Sequence, residues 1–422
     1  MNNERILLCL AHMSGKEQHF IKEAFDQNWV VPLGPNVDGF EKDLEVFVNR
    51  HENAEPMHKK VVALSAGTAA VHLALIGCGV GHGDEVLVQS FTFCASSHPV
   101  TYLGATPIFI DSEKDTWNMD PELLEEAIKD RIAKTGKKPK AIIPVALYGM
   151  PYKIDRIMEI ADSYGIPVIE DAAEGFGSRF KGQVLGTFGR YGVLSFNGNK
   201  MITTSGGGAL ICPDKEEARE ILWYATQARE SYPYYQHEAI GFNYRMSNIC
   251  AGIGRGQMTI ADEHIAHHRH VQALYEELLN DVEGITMHVN PEAGFDSNYW
   301  LCTATIDRDV RIKGQEKAYR QLVSGAVGGA AGVTHAASTA MTDCQPNDNV
   351  EALRMALDAA NIESRPLWKP MHKQPVYRNN PSYINGISES LFKTGICLPS
   401  GPWVTDEHIR YIVKNIKDSI VL

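Results

Sequence analysis

The sequence predicts an α/β protein with a large domain built on a mainly parallel sheet and a smaller C-terminal α/β domain. Short runs of β-branched and other apolar residues alternate with helical patterns between residues 60 and 211. The chain has 422 residues, 44% of them hydrophobic, which is enough for more than one packed unit. The runs are VVALS, DEVLVQS, TPIFID, KAIIPVAL, IPVIED, YGVLSF and GGALIC.

The segments between these runs carry helix signals. PELLEEAIKDRIAK follows Asp120, with acidic residues early and basic residues late, as the helix dipole favours. We therefore expect helical crossovers between parallel strands. Ligands of such sheets bind at the carboxyl ends of the strands, so the polar residues that follow the strands are the first candidates for a site.

The second half of the chain predicts a separate unit. A long helical pattern, EHIAHHRHVQALYEELLND, leads into a second α/β region with NYWLCTATI and a terminal helix, DEHIRYIVKNIKDSI. We predict a large domain over residues 1–270, including an N-terminal arm, and a small domain over 271–422. Residues 324–349 are rich in Gly, Ala, Ser and Thr without an apolar period, which predicts a flexible insertion.

Composition argues against several classes of function. The net charge of -12 disfavours broad nucleic-acid binding, because proteins bind a phosphate backbone through clustered Lys and Arg side chains. No stretch approaches the ~20 apolar residues of a membrane-spanning helix, and the start lacks a signal-peptide pattern, so we expect a cytoplasmic protein without membrane partners. The eight cysteines include no C-x-x-C pair, so no metal site or disulfide framework is predicted.

Three groups of residues at strand ends could carry chemistry. The first is Ser65-Ala66-Gly67-Thr68, between the strand VVAL and an apolar helix. Free backbone N–H groups there would bind an anion, with the Thr68 hydroxyl as an extra donor. The alternative is an ordinary turn in which Thr68 only caps the helix.

The second group follows the apolar strand IPVI and consists of Glu170, Asp171 and Glu174. Carboxylates at the end of a buried strand are costly unless a cation or a donor faces them. A protonated pyridine nitrogen is one such partner, and Asp171 would keep it cationic. A carboxylate that caps a helix is the alternative.

The third group is the turn around Lys200, between the strand-like VLSF and GGGALI. Partial desolvation there favours the neutral amine, which can form a Schiff base with an aldehyde and then shuttle a proton. An exposed loop lysine is the alternative. Together the anion site, the carboxylate and the amine match the phosphate, ring nitrogen and aldehyde of pyridoxal 5'-phosphate (PLP).

From about Pro32 to the C-terminus the chain resembles the DegT/DnrJ/EryC1/StrS family of PLP-dependent sugar aminotransferases, in the fold type I (aspartate aminotransferase-like) group. The motifs in family order are GPNVDGFEKDL, SAGTAAVHLAL, SFTFCASSHPV, PVALYGMPYKID, IEDAAEGFGS, SFNGNK, SGGGAL, GFNYRMSN and ESRPLWKPMH. The resemblance implies that Lys200 is the Schiff-base lysine and that Asp171 pairs with the pyridinium nitrogen. It also implies that Gly67, Thr68 and Ser195 hold the phosphate.

Further roles are implied by the same resemblance. Phe93 would stack on the pyridine ring; a core aromatic is the alternative. Glu174 would contact the phenolic oxygen of PLP, where the family often has Gln or His, or would face the substrate instead. Asn243 would cross the interface of a homodimer to reach the partner's cofactor phosphate, with Arg245 nearby at the substrate.

The late motif resembles the family's sugar-nucleotide contact region, which implies substrate contacts from Arg365, Trp368, Lys369 and His372. A solvated basic loop is the alternative. The implied reaction moves an amino group from L-glutamate, released as 2-oxoglutarate, to a nucleotide-linked keto sugar. The closest resemblance is to enzymes that aminate C4 of UDP-2-acetamido-2,6-dideoxy-4-keto-hexoses for bacterial surface glycans. A C3-aminating or dTDP-sugar enzyme is the main alternative; a sugar dehydratase would have His in place of Lys200, and a non-catalytic sensor would have a damaged cofactor set.

Overall fold

The computed structural model describes residues 4–52, 54–319 and 344–421. The α-helices within these ranges are α1 Glu17–Asp26, α2 Pro35–Val48, α3 Gly67–Gly77, α4 His98–Tyr102, α5 Pro121–Thr135, α6 Ile154–Tyr164, α7 Lys215–Ala225, α8 Asn248–Met258, α9 Ala261–Leu279, α10 Asp348–Ala359, α11 Ile387–Thr394 and α12 Asp406–Ser419. The strands are β1 Lys60–Leu64, β2 Glu85–Gln89, β3 Thr106–Ile110, β4 Ala141–Ile143, β5 Ile169–Asp171, β6 Arg179–Phe180, β7 Gln183–Val184, β8 Tyr191–Ser195, β9 Gly208–Cys212, β10 Ile285–Met287, β11 Phe295–Asp296, β12 Cys302–Ile306, β13 Arg365–Pro366, β14 Ser382–Tyr383 and β15 Gly395–Leu398.

The main sheet consists of two four-stranded parts. Their orders are β1-β9-β8-β5 and β14-β3-β2-β4, and two parallel bridges, Ile142 with Val168 and Val145 with Asp171, join β4 to the β5 side. Strand β9 runs antiparallel to β1 and β8, whereas the other pairings are parallel. The predicted α/β fold with a mainly parallel sheet is therefore confirmed.

Helices cover both faces of this sheet, and the strand sequences are apolar for that reason. Along β1, Val61 and Ala63 belong to one hydrophobic cluster, while Val62 and Leu64 belong to the cluster on the opposite face. Helix α3 is buried from Ala69 to Leu75 against the second face. This burial holds its first turn at the edge of the sheet where β1 ends.

The C-terminal part of the chain forms a second, antiparallel sheet in the order β10-β12-β15-β13. Helices α9, α10 and α12 pack on it through a separate hydrophobic cluster. Helix α9 spans residue 270, and β14, which follows in the second half of the chain, pairs with β3 of the main sheet. The division at residue 270 thus stays a prediction.

The predicted insertion lies mostly outside the described residues, since α10 begins at Asp348 and residues 324–343 are not described. In the described ranges, none of the helices combines the length and the apolar character that a membrane crossing requires.

Candidate active site

A cavity of about 340 Å³ opens at the carboxyl ends of β1, β5 and β8. Because β9 runs antiparallel, the glycines that precede it, Gly206 and Gly207, face the same cavity. This is the position at which an open α/β sheet binds its ligands.

The first turn of α3 forms one wall of the cavity. Gly67 and Thr68 begin the helix, and the N-cap residue Ala66 contributes no side-chain cap. Ser195 ends β8 beside them: a Cβ on Gly67 would lie 3.3 Å from its Oγ. The site therefore combines backbone donors, a helix N-terminus and two hydroxyls, which suits a phosphate.

A buried carboxylate forms the floor. Oδ2 of Asp171 accepts a hydrogen bond of 2.6 Å from the Ser96 hydroxyl, and Oδ1 accepts one of 3.2 Å from the amide of Ala173. Burial raises the pKa of Asp171, and the hydrogen bond from Ser96 is the first of the effects that oppose this rise. An additional cationic partner in the cavity would stabilise the ionised form further.

The amine of Lys200 faces the same cavity. Its Nζ donates to Oε1 of Glu174 at 3.1 Å and lies 4.0 Å from the ring centroid of Trp300. The indole Nε1 of Trp300 donates to the carbonyl of Asn199 at 2.7 Å, which fixes the ring beside the lysine turn. The lysine is thus held on two sides by a carboxylate and an aromatic face.

Tyr148 connects the carboxylate of Glu174 to the rim of the cavity. Its amide donates to Oε2 of Glu174 at 2.7 Å, and its hydroxyl accepts from the amide of Trp368 at 2.9 Å. Tyr148 has a φ of 54°, which a bulky residue adopts only where its surroundings hold it there. Trp368 in turn lies 5.4 Å from Phe93, measured between ring centroids.

The structure brings eight of the predicted site residues to this one cavity: Gly67, Thr68, Phe93, Asp171, Glu174, Ser195, Lys200 and Trp368. Lys369 lines an adjacent pocket of about 420 Å³, which shares Phe93 and Trp368 with the main cavity. Asn243 is exposed on the surface, outside the cavity walls.

Three predicted substrate residues lie elsewhere within this chain. Arg245 is paired with Glu41 and also donates to the carbonyl of Ala63 at 3.2 Å. Arg365 pairs with Glu363 at 2.8 Å, and Nδ1 of His372 lies 2.7 Å from the hydroxyl of Ser90 at the end of β2. Burial lowers the pKa of His372, which favours its neutral form. None of the three lines the cavity.

Sequence reasoning missed Ser96, Thr92 and Trp300, although all three line the cavity. Ser96 and Thr92 belong to the SFTFCASSHPV motif, which directly follows the predicted strand DEVLVQ. Their place just after a strand could therefore have indicated them. Trp300 precedes β12 in the second half of the chain, and no local pattern connects it to the lysine turn.

The comparisons with known proteins agree with this geometry. The profile of the DegT/DnrJ/EryC1/StrS aminotransferase family matches residues 12–330 and 327–417. The Bacillus subtilis (strain 168) protein EpsN, whose name assigns it to the pyridoxal phosphate-dependent aminotransferases, is 42% identical over 416 residues, covering 98% of this chain and 95% of EpsN. GDP-perosamine synthase of Escherichia coli O157:H7 is 34% identical over 407 residues, 96% of each chain.

A solved structure supports the same conclusion. The crystal structure of a DegT DnrJ EryC1 StrS aminotransferase from Brucella abortus superposes with a TM-score of 0.79 at 27% identity, covering 96% of this chain and 95% of that one. The predicted fold type I architecture is therefore confirmed. The chain belongs to the DegT/DnrJ/EryC1/StrS aminotransferase family and is a PLP-dependent sugar aminotransferase.

Proposed function

We propose that this enzyme transfers the amino group of L-glutamate to C4 of a UDP-linked 2-acetamido-2,6-dideoxy-4-keto-hexose, for a bacterial surface glycan. The observation that carries the transaminase chemistry is the position of Lys200 Nζ, in one cavity with the buried Asp171 and the first turn of α3. The choice of sugar is supported by FNGNKMITTSGGGAL and RPLWKPMH, which resemble the C4-aminating branch of the family.

The residues of the cavity fit PLP at three points. We assign the phosphate to the amides of Gly67 and Thr68 and to the hydroxyls of Thr68 and Ser195. We assign the ring nitrogen to Asp171, because Oδ1 accepts one backbone hydrogen bond at 3.2 Å and keeps capacity for a further donor. Nζ of Lys200 would hold the aldehyde end covalently.

When bound, PLP supplies an electron sink and carries the amino group between the two substrates. Lys200 is the one lysine that lines the cavity among the described residues, so we assign the proton transfers at the reacting carbons to its Nζ. Glu174 and Trp300 orient this amine, the first by a hydrogen bond and the second by its ring face. The same ring covers one side of Nζ and shields it from water.

We propose that the sugar nucleotide lies at the rim formed by Phe93 and Trp368 and extends into the adjacent pocket with Lys369. A cation there would pair with the diphosphate, and the two aromatic rings would pack on the ligand. Arg365 is exposed and could also reach a bound diphosphate, whereas His372 and Arg245 would have to leave their present partners. Asn243 is exposed, so it is free to reach the cofactor phosphate of a second copy in the proposed homodimer.

A second candidate is a GDP-linked keto sugar, because the relative that is 34% identical over 96% of the chain is a GDP-perosamine synthase. One experiment separates the candidates. The purified enzyme is incubated with glutamate and a panel of UDP-, dTDP- and GDP-linked 3-keto and 4-keto sugars, and the release of 2-oxoglutarate is measured, with NMR of the product. We expect the fastest release with the UDP-linked 4-keto sugar. A preference for a GDP-linked sugar or for a 3-keto sugar would replace the UDP-linked 4-keto sugar as the assigned substrate. No turnover across the panel would refute a nucleotide-linked keto sugar as the amino acceptor.

The role of Lys200 has its own test. The enzyme should be yellow, and Lys200→Ala should lose the visible absorbance of the covalently held cofactor and lose turnover. Lys59, which is half-buried like Lys200 but donates to the carbonyl of Gly189 away from the cavity, provides a control in Lys59→Ala. An unchanged spectrum in Lys200→Ala would refute the assignment.

A further inference from the structure

A chain of two hydroxyl groups ends on the buried carboxylate of Asp171. The Ser96 hydroxyl lies 2.6 Å from Oδ2 of Asp171, and the Thr92 hydroxyl lies 2.7 Å from that of Ser96. Ser96 is 1% exposed, Thr92 is 1% exposed and Asp171 is 5% exposed. All three line the cavity, so this contact is part of its wall and not of the distant core.

The direction of these hydrogen bonds follows from the inventory of donors. An ionised carboxylate only accepts, so Ser96 gives its single hydroxyl proton to Asp171. The Thr92 hydroxyl must then donate to the oxygen of Ser96, because the proton of Ser96 is already used. The chain therefore runs from Thr92 through Ser96 to Asp171, and each donor orients the next.

This arrangement has two effects on Asp171. Burial disfavours the carboxylate and raises its pKa, and the hydrogen bond from Ser96 is the largest of the opposing effects, ahead of the amide of Ala173 and the charge of Lys200. The bond from Ser96 engages Oδ2 at 2.6 Å, whereas Oδ1 accepts only a longer bond of 3.2 Å from the amide of Ala173, so Oδ1 has the greater capacity for another partner.

We propose that Ser96 is a positioning residue that keeps Asp171 ionised and presents its Oδ1 to the ring nitrogen of the cofactor, with Thr92 fixing the hydroxyl of Ser96. The proposal rests on the function proposed above for Asp171. Ser96 does not itself touch the reacting atoms. It acts through the carboxylate, and a double-mutant cycle can therefore detect its role.

The test measures the dissociation constant of PLP from the cofactor-depleted full chain, by quenching of tryptophan fluorescence, together with the rate of the glutamate half-reaction. A hydrogen bond to a buried charge is worth roughly a 10- to 100-fold change in an equilibrium constant. We expect Ser96→Ala to weaken PLP binding by about that factor and to lower the half-reaction rate while the KM for glutamate changes little. Ser96→Thr keeps the hydroxyl and should restore binding to within about threefold.

The double-mutant cycle uses Asp171→Asn, which should weaken PLP binding at least as much as Ser96→Ala does. If Ser96 acts through Asp171, the double variant binds PLP no worse than Asp171→Asn alone. Ser97→Ala is the matched control, because Ser97 belongs to the same turn but donates to the carbonyl of Cys94. Thr92→Val is an independent probe of the chain should Ser96→Ala fold poorly, and it should weaken PLP binding about threefold, whereas Thr92→Ser should not.

Two outcomes overturn the inference while the proposed function stands. In the first, Ser96→Ala and Thr92→Val both bind PLP with wild-type affinity although Asp171→Asn binds it weakly. In the second, the losses of PLP affinity in Ser96→Ala and Asp171→Asn multiply in the double variant. A third outcome, wild-type PLP affinity and half-reaction rate in Asp171→Asn itself, would remove the proposed role of Asp171 and the inference with it.

Discussion

Nζ of Lys200 donates a hydrogen bond of 3.1 Å to Oε1 of Glu174, and the two side chains are only 13% and 3% exposed. Burial raises the pKa of Glu174, and the charge of Lys200 is the main effect that opposes this rise. A second hydrogen bond, from the amide of Tyr148 to Oε2 of Glu174, offsets part of the cost of burying this pair. Glu174 is therefore the counter-ion that orients the side chain of Lys200.

Glu174→Gln should make the PLP-free protein capture PLP faster at pH 7, by about tenfold. Nζ of Lys200 must leave its charge-assisted hydrogen bond to Glu174 before it can attack an aldehyde, and the neutral amide of Gln forms a weaker bond than the carboxylate does. The measurement is the growth of visible absorbance in a stopped-flow instrument. Glu363→Gln, which removes a carboxylate outside the cavity, should leave the rate unchanged. A slower rate in Glu174→Gln would contradict the counter-ion role.

Gly208→Ala should weaken PLP binding more than tenfold. A Cβ at Gly208 would clash with the amide nitrogen of Gly67 and would lie 2.7 Å from the carbonyl oxygen of Ala66, so the first turn of α3 would have to move away from β9. Displacing donors from an anion site by a few tenths of an ångström costs binding free energy, because hydrogen bonds weaken steeply with distance.

The matched control is Gly206→Ala, two residues away on the same cavity wall, where an added Cβ meets nothing within 4 Å. Both dissociation constants are measured by titration of the depleted protein with PLP. Equal affinity of the two variants would mean that the first turn of α3 is not the phosphate site.

The sequence pattern predicts the site residues that lie at or just after the ends of strands. The sequence predicts Asp171 and Lys200 because an apolar strand ends at or just before each, and parallel strands end at one edge. Ser195 is implied only by the family resemblance. The antiparallel direction of β9 was not predicted, because an alternating or apolar run has the same pattern in either direction.

The missed residues depend on tertiary contacts that no local pattern encodes. Trp300 reaches Lys200 because Asn298 donates to the carbonyl of Glu174 at 2.8 Å, and because Tyr299 adopts a φ of 48°. Arg245 is oriented by Glu41, a residue far away in sequence on α2. Charge and spacing alone could not distinguish that structural pair from a substrate contact.

Trp300→Leu should slow the glutamate half-reaction about tenfold, and Trp300→Phe about threefold. The ring face lies 4.0 Å from Nζ of Lys200, so leucine removes the cation–π contact and gives the lysine more rotamers, whereas phenylalanine keeps a face but loses the indole donor to Asn199. Single-turnover absorbance measures the rate. Trp403→Leu, an exposed tryptophan outside this cavity, is the control and should react like the wild type. Equal rates for Trp300→Leu and the control would exclude an orienting role.

His288 should make the protein less stable as the pH falls from about 6.5 to about 4. Its ring stacks on Trp117 at 3.7 Å, Nε2 donates to the carbonyl of Asp115, and burial lowers its pKa from 6.5 to about 4. In that window the unfolded chain binds a proton that the folded chain excludes, so the free energy of unfolding falls with the pH. The contribution lost between pH 7 and pH 5 is about 2 kcal/mol.

His288→Phe keeps the stacked ring and cannot bind a proton. It should be less stable than the wild type at pH 7 by about 1 kcal/mol, because the hydrogen bond to Asp115 is lost. Between pH 7 and pH 5, however, its urea midpoint should fall less than that of the wild type, so the two curves approach or cross. The exposed His19 provides a control, since His19→Gln should keep the wild-type slope. Parallel curves for His288→Phe and the wild type would mean that His288 takes up its proton equally easily in the folded and unfolded chains.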